Sequence, residues 1–229
     1  MFTIRISGFR KGDPLDSPNV KIGQLVLGQL HTNCYLVVGT ETGEGMVVDP
    51  AVYDDRIPEV LQELGMKSLR YILLTHGHMD HILGVNEVKA KFPEAGVIGP
   101  KGDAAFFTDP YLSLAERFGA HQDPIPVDRF VGEGDVIPFD RYEIKVLETP
   151  GHTDGSSCYL LGDIMFSGDT LFRGSMGITT HPTGDAELER KSLQKIKNLP
   201  GDYKVLPGHG HLTTLQQERE TNIYMRDYE

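Results

Sequence analysis

The chain lacks tryptophan, contains only two cysteines, and has fewer basic than acidic side chains among its 229 residues. Its 22 Lys and Arg residues against 33 Asp and Glu residues give a formal net charge of −11, which argues against sequence-independent binding to nucleic-acid phosphates. No apolar run is as long as a membrane-spanning helix. The first ten residues lack the apolar core of a secretory signal. We therefore expect a cytoplasmic location, free thiols at Cys34 and Cys158, and no nucleic-acid or membrane partner.

The rest of the composition is that of an ordinary folded protein. Apolar residues make up 39% of the chain and charged residues 24%. A chain of this length buries about 70–75% of the surface that its unfolded form exposes, so its core needs no disulfides. Because no repeat, low-complexity tract or linker divides the sequence, we predict a single domain over residues 1–229.

Apolar periodicity predicts runs of strands interrupted by helices in both halves. The predicted strands are 20–27, 34–38, 46–50, 69–75, 95–98, 143–148, 156–161, 164–167 and 204–206, after a short first strand and a loop at 11–18. The predicted helices are 54–64, 80–92, 185–198 and 214–224, with two short ones at 104–107 and 112–118. Segment 101–126 is predicted to be an insertion lying over a surface. The pattern favours an α/β fold in which two contacting sheets have helices outside.

The densest cluster of candidate metal ligands follows a predicted buried strand. His76, His78, Asp80 and His81 occur within six residues. In an extended chain, residues i and i+2 project to the same side, so His76 and His78 can share one ion. Asp80 and His81 begin the next helix and point differently, so they can serve a second ion beside the first. Gly77 permits the sharp turn between the two pairs.

Three further candidate ligands follow apolar strands later in the chain. His152 and His209 each come after a Pro-Gly pair, and Asp169 follows Ser-Gly. A site built from loops at one end of rigid sheets has this layout. A single histidine in such a loop is more often structural, but the dense motif and three matching loops together favour a metal site. The histidines left unassigned are His31, His121, His181 and His211.

At these residues the chain resembles the metallo-β-lactamase fold superfamily, and within it the glyoxalase II-like (hydroxyacylglutathione hydrolase-like) branch. The resemblance rests on Thr-His-x-His-x-Asp-His at 75–81, on the Gly-His pairs ending at 152 and 209, and on Gly-Asp ending at 169. Thr-Asn-Cys-Tyr-Leu at 32–36 and Val-Val-Asp-Pro at 47–50 are also similar to that branch. The resemblance covers roughly residues 20–225 and implies an αββα sandwich, with two mixed β-sheets flanked by helices.

The resemblance also implies two divalent metal ions, with zinc as the first choice and iron or manganese as alternatives. The implied ligands are His76, His78 and His152 for one ion, Asp80, His81 and His209 for the other, and Asp169 between them. A hydroxide bridging the ions would attack the carbonyl of a small-molecule thioester or ester, such as one of the S-lactoylglutathione type. Asp80 would be the catalytic residue that orients this hydroxide. The candidate partners for the outer ring nitrogens of the histidines are Asp49, Thr75, Thr153 and Asp154.

The substrate-binding side departs from glyoxalase II. We do not expect its C-terminal glutathione-binding domain here, because only 20 residues follow His209. Ile178 stands where relatives often have a basic residue. The candidate replacements for the missing basic anchors are Lys101, Arg117 and Arg173.

Alternatives with the same fold remain open. One is a lactonase, because opening a cyclic ester needs the same chemistry. Another is a mononuclear-iron persulfide dioxygenase, in which His76, His152 and Asp169 would hold the metal. Asp169 in the place of a cysteine argues against the zinc β-lactamases, and the acidic charge argues against a nuclease of the superfamily.

Overall fold

The computed structural model describes residues 18–226, so the predicted first strand and most of the loop at 11–18 lie outside the described residues. The strands of the first sheet are β1 (Val20–Leu27), β2 (Thr32–Gly39), β3 (Glu44–Val48), β4 (Ser68–Leu73), β5 (Gly96–Pro100) and β6 (Arg129–Val131). They lie side by side in chain order, antiparallel from β1 to β3 and parallel from β3 to β6. The first sheet is therefore mixed.

The second sheet is formed mainly by the later part of the chain. Its strands are β7 (Val136–Phe139), β8 (Tyr142–Glu148), β9 (Ser157–Leu161), β10 (Ile164–Gly168), β13 (Lys204–Pro207) and β14 (Thr213–Thr214). Between β10 and β13 the chain forms a small separate hairpin of β11 (Leu171–Phe172) and β12 (Ser175–Met176). The strand order of the second sheet is β14-β13-β10-β9-β8-β7, and β10 and β13 are its parallel pair. Both sheets are thus mixed, as predicted.

The helices cover the outer faces of the two sheets. They are α1 (Arg56–Leu64), α2 (Met79–Ile82), α3 (Val85–Lys91), α4 (Ala186–Lys197) and α5 (Leu215–Thr221). In α1 the buried residues Ile57, Val60, Leu61 and Leu64 have helical spacing. In α4 the Asp185 side chain accepts from two backbone N–H groups of the first turn. Among residues 18–226, no helix is long and apolar enough to cross a bilayer.

The main core lies between the sheets. Tyr35 of β2 packs against Phe166 of β10 with ring centroids 5.7 Å apart, and both side chains are buried. Full burial of such a side chain stabilises the fold by about 1.5–3 kcal/mol. Two further buried apolar clusters lie under the helices, one outside each sheet. The layers are therefore helix, sheet, sheet, helix, which confirms the predicted fold class.

The seam between the sheets is closed at one end by Asn33 and Tyr35 of β2. The Asn33 backbone N–H donates to the Gly208 carbonyl at 2.7 Å, and its side-chain amide donates to the Pro207 carbonyl at 2.9 Å. The Tyr35 hydroxyl donates to the same Pro207 carbonyl at 2.7 Å. Because His209 directly follows Gly208, these hydrogen bonds fix the position of His209 relative to the first sheet.

Three predicted helical segments differ from the structure. The predicted helix 80–92 is divided into α2 and α3 at Gly84, whose backbone N–H donates to the Pro50 carbonyl at 2.8 Å. A side chain at Gly84 would meet the Val52 carbonyl carbon at 2.5 Å, so the chain approaches too closely for a continuous helix. The prediction of short helices at 104–107 and 112–118 is wrong, because that segment folds as turns around buried Phe106 and Phe107.

Candidate metal centre

The candidate ligands all lie where strands of the two sheets end. His76 and His78 follow β4, Asp80 and His81 lie in α2, His152 lies between β8 and β9, Asp169 follows β10, and His209 follows β13. The structure brings all seven residues together, in overlapping groups whose ligand atoms lie within 4.8 Å of one another.

The first ligand set consists of His76, His78 and His152, and all three are buried. His78 Nδ1 and His152 Nε2 lie 2.9 Å apart. Burial lowers the pKa of His76 and His152, and it lowers that of His78 to about 3. The three imidazoles are therefore neutral at physiological pH, which is the form that binds a cation.

The second ligand set consists of Asp80, His81 and His209. His209 Nε2 lies 3.2 Å from Asp80 Oδ2, and His81 Nε2 lies 3.6 Å from the same oxygen. Burial lowers the pKa of His81, but the carboxylates of Asp169, Asp80 and Asp49 outweigh this effect and raise it to about 9. Hydrogen bonds to Asp169 and Asp80 likewise outweigh burial and raise the pKa of His209 to about 11. Both histidines are therefore protonated at neutral pH in the absence of metal.

Asp169 faces both sets. Its Oδ1 lies 3.4 Å from His81 Nε2, and its Oδ2 lies 3.6 Å from His152 Nε2 and 3.3 Å from His209 Nε2. Burial would raise the pKa of this carboxyl, but His81 and His209 hold it well below its usual value. An ionised carboxylate therefore lies between the two groups of imidazoles.

The donor atoms suit divalent cations. His76 Nε2, His81 Nε2 and Asp169 Oδ1 are buried without a hydrogen-bond partner, whereas buried polar atoms are nearly always partnered. Imidazole and carboxylate ligands are accepted by zinc, iron and manganese alike, so the donor set does not select one of them. The missing partners are what a bound cation would supply.

One buried carboxylate, that of Asp49, orients histidines of both sets. Its Oδ2 accepts a hydrogen bond from His81 Nδ1 at 2.9 Å and one from the Thr75 hydroxyl at 2.7 Å. The Thr75 hydroxyl lies 3.1 Å from His76 Nδ1. These contacts favour a proton on Nδ1 and leave each Nε2 facing the centre, as in other histidine metal sites. Asp49 and Thr75 are thus two of the four residues expected from the sequence to contact the outer ring nitrogens of the histidines.

The other two expected partners do not contact a ligand ring. Asp154 is exposed, and the Thr153 hydroxyl instead donates to Asp103 Oδ2 at 2.8 Å. The same oxygen accepts from the Gly77 backbone N–H at 2.7 Å, so Asp103 ties the loop of His76 and His78 to the loop of His152. Sequence reasoning missed Asp103, because no motif marks it.

Backbone and hydroxyl groups hold two more ligands. His152 Nδ1 hydrogen-bonds to the Ile178 carbonyl at 2.7 Å. The Thr32 hydroxyl donates to Asp80 Oδ2 at 3.0 Å. A carbonyl acceptor carries no side-chain signal, so the role of residue 178 was not predictable from its side chain.

Close packing of the strand ends requires glycine at two positions. Gly168, before Asp169, has φ of +49°, and a Cβ there would lie 2.5 Å from Thr75 Oγ1. A Cβ at Gly208 would collide with Asp169 Oδ1 and lie 2.7 Å from His81 Cε1. Both positions therefore exclude side chains and let the two sheets bring their ligands together.

A cavity of about 700 Å³ opens beside the first ligand set. Its lining includes Tyr111, Arg117 and His181. The His181 ring lies 5.7 Å from that of His78, and its Nδ1 is buried without a hydrogen-bond partner. Of the three candidate basic anchors, Arg117 lines this cavity, while Lys101 and Arg173 are exposed outside its lining.

The remaining unassigned histidines do not line this cavity. His31, His121 and His211 are exposed. His121 pairs with Asp123 at 3.1 Å, and both side chains are largely in solvent.

Comparison with known proteins places this constellation in a family. The model of the Metallo-beta-lactamase superfamily matches residues 27–209, a span that contains every candidate ligand. The chain belongs to the metallo-beta-lactamase superfamily. The resemblance seen in the sequence is thereby confirmed.

Several superfamily members are similar over most of their length. The chain is 32% identical to hydroxyacylglutathione hydrolase GloC of Haemophilus influenzae, over 84% of this chain and 92% of that protein. The crystal structure of BLEG-1 B3 metallo-beta-lactamase has a TM-score of 0.81 and 31% identity, covering 90% of this chain and all of that one. ETHE1 from Myxococcus xanthus has a TM-score of 0.74 and 28% identity, covering 88% and 83%.

Proposed function

We propose that the protein is a metal-dependent hydrolase that cleaves a small-molecule thioester or related ester. The observation that carries the proposal is the pair of ligand sets facing each other across Asp169. The similarity to hydroxyacylglutathione hydrolase GloC supports the same reaction class. We assign the seven ligands to two divalent ions, with zinc, iron and manganese as the candidates.

Bound divalent ions would lower the pKa of water to about 7 and polarise the substrate carbonyl. Asp80 Oδ2 accepts a hydrogen bond from the Thr32 hydroxyl at 3.0 Å. Its pKa of about 2 keeps it ionised, so it can accept a hydrogen bond from the attacking water and orient it. In the net reaction water adds to the carbonyl carbon, the C–S or C–O bond breaks, and the leaving group takes up a proton.

Neither cysteine is a competing covalent nucleophile. Cys34 and Cys158 are both buried, and burial raises the pKa of the Cys158 thiol to about 12. A thiol held protonated in this way does not attack a carbonyl. The cysteines are therefore core residues in our proposal, and water is the nucleophile.

The large cavity supports a polar leaving group. Its volume of about 700 Å³ is in the range of small-molecule sites. The Arg117 guanidinium and the unpartnered Nδ1 of His181 offer polar contacts beside the first ligand set. Glu116 also lines the cavity, so both signs of charge are present. A substrate of the S-lactoylglutathione type carries carboxylates and an ammonium group suited to such a lining, and we propose it as the first substrate to test.

The alternatives are a lactonase and a mononuclear-iron persulfide dioxygenase. The dioxygenase would use His76, His152 and Asp169, which also lie together. It would leave Asp80, His81 and His209 without a cation, although these three are arranged as a complete ligand set. That arrangement favours the hydrolase.

Metal quantitation combined with a substrate panel tests the proposal. The panel contains S-lactoylglutathione, other thioesters, lactones, a β-lactam and glutathione persulfide. We expect close to two divalent ions per chain and turnover of a thioester. A single tightly bound iron with O₂ consumption on persulfide would overturn the hydrolase proposal, and turnover restricted to lactones would replace it with a lactonase.

A further inference from the structure

A second, smaller cavity borders Asp80. Its volume is about 170 Å³, and its apolar lining residues are Leu30, Ala51, Val52, Met79, Leu83, Phe118 and Ala120. They come from four separate parts of the chain: the loop between β1 and β2, the loop after β3, the segment around α2, and segment 101–126. The cavity is therefore assembled by the tertiary fold rather than by one local motif.

Three of the apolar side chains that line this cavity are exposed, whereas Ala51 and Met79 are buried. Leu30 and Val52 are each 38% exposed, and Phe118 is 47% exposed. Isolated exposed apolar residues are ordinary, but several that converge on one concave site indicate a binding surface. Asp80 is the one lining residue with a charged side chain and Gln29 is the other polar one, so the cavity is mainly apolar and borders the second ligand set at Asp80.

We propose that this cavity binds the acyl chain of the substrate, and that this chain is short and apolar. A protein cavity of ~150 Å³ holds benzene, so a cavity of about 170 Å³ accommodates a chain of up to about six carbons. The inference rests on the proposed hydrolase function, because it places the reacting carbonyl next to Asp80. The cavity of about 700 Å³ is then left for the larger, polar leaving group. The division follows size and polarity, since a polar thiol such as glutathione does not fit a small apolar space.

A series of thioesters with one constant leaving group tests the assignment. Acetyl, butyryl, hexanoyl and decanoyl thioesters of N-acetylcysteamine would be compared by kcat/KM. Each methylene that enters the cavity should raise kcat/KM up to about fourfold, so hexanoyl should exceed acetyl by roughly 10- to 100-fold. The decanoyl chain exceeds the cavity volume and should give no further gain.

The substitution Ala120→Leu narrows the cavity and should lower the hexanoyl-to-acetyl ratio of kcat/KM at least about fivefold, because its added carbon atoms occupy acyl space. The matched control is Ala105→Leu, an exposed position in the same segment outside the cavity lining, which should leave the ratio unchanged. Phe118→Ala is a second variant, and it should also lower the ratio by removing an apolar wall. Its partial exposure makes it tolerable for folding.

The outcomes separate this inference from the proposed function. If no thioester in the series and no S-lactoylglutathione is hydrolysed by the metal-loaded protein, the hydrolase proposal fails. If thioesters are hydrolysed but the rate is independent of acyl length, the cavity assignment fails alone. The assignment is also overturned if acetyl thioesters of longer alkyl thiols show the length dependence instead, because the cavity would then hold the leaving group.

Discussion

The two ligand sets are built from similar side chains but differ in their electrostatic surroundings. His76, His78 and His152 are all buried, and desolvation keeps them neutral. His81 and His209 lie among carboxylates, which raise the pKa of His81 to about 9 and that of His209 to about 11. The first set is thus ready to bind a cation, whereas the second set holds protons that a cation must displace.

This difference teaches that, in the proposed two-ion site, the ions need not bind alike. A neutral trio of imidazoles binds metal without competition from protons at neutral pH. The second set offers stronger electrostatic attraction once its protons have left, because Asp80 contributes a negative charge. Loading of the second ion should therefore respond to pH much more than loading of the first.

The largest effect should come from Asp169→Ala, which removes the carboxylate that lies between the two sets. We expect loss of metal from both and a fall in thioester kcat/KM of at least about a thousandfold, since even single electrostatic contacts in active sites contribute about 10²–10³. Metal analysis and steady-state kinetics measure the two effects. The control is Asp154→Ala, an exposed carboxylate nearby that contacts no ligand ring. Retention of two ions and full turnover in Asp169→Ala would contradict a shared role.

A smaller effect concerns pH. In the metal-free protein His81 and His209 should keep their protons up to pH about 9 and 11, so binding at the second set releases protons and strengthens as pH rises. Between pH 6 and 8 its affinity should increase by up to about tenfold per pH unit for each proton released. His78, with a pKa of about 3, is already deprotonated there, and the first set should change little.

Calorimetry of zinc binding in buffers of different ionisation enthalpy would count the released protons. In His209→Ala we expect one ion to bind at the first set with little proton release. Equal pH dependence for both ions in the wild-type protein would remove the distinction between the sets.

The smallest effect should come from Asp49→Asn, which leaves every ligand in place. Asp49 accepts from His81 Nδ1 directly and reaches His76 through the Thr75 hydroxyl. Loss of such a contact lowers metal affinity by about 10- to 100-fold, and here both ions should be affected. Competition with a coloured chelator measures this change, and the exposed Asp55→Asn is the control. A loss confined to one ion would show that Asp49 serves one set alone.

Local patterns in the sequence were sufficient for nine of the strands and for the ligand candidates, because strand periodicity and the spacing of residues 76–81 are local properties. The short strands β6, β7, β11, β12 and β14 were not predicted. The short helices predicted at 104–107 and 112–118 were wrong, because Gln122 donates to the Phe106 carbonyl and stabilises turns instead. The break at Gly84 depends on Pro50, which is distant in sequence. Asp103 and the carbonyl of residue 178 act through contacts between loops, and such contacts have no local signature.

The hydrogen bonds from Asn33 and Tyr35 to the end of β13, just before His209, hold the two sheets together at one edge of the sandwich. They join positions more than 170 residues apart in sequence, at a single seam between the sheets. An ion shared by His81 and His209 would be a second cross-link across this seam. Because such a cross-link closes a long loop between the two residues, it reduces the conformational entropy of the unfolded chain. Chelation should therefore open the protein first at this edge. Faster hydrogen exchange at the Asn33 amide would report that opening before any global unfolding.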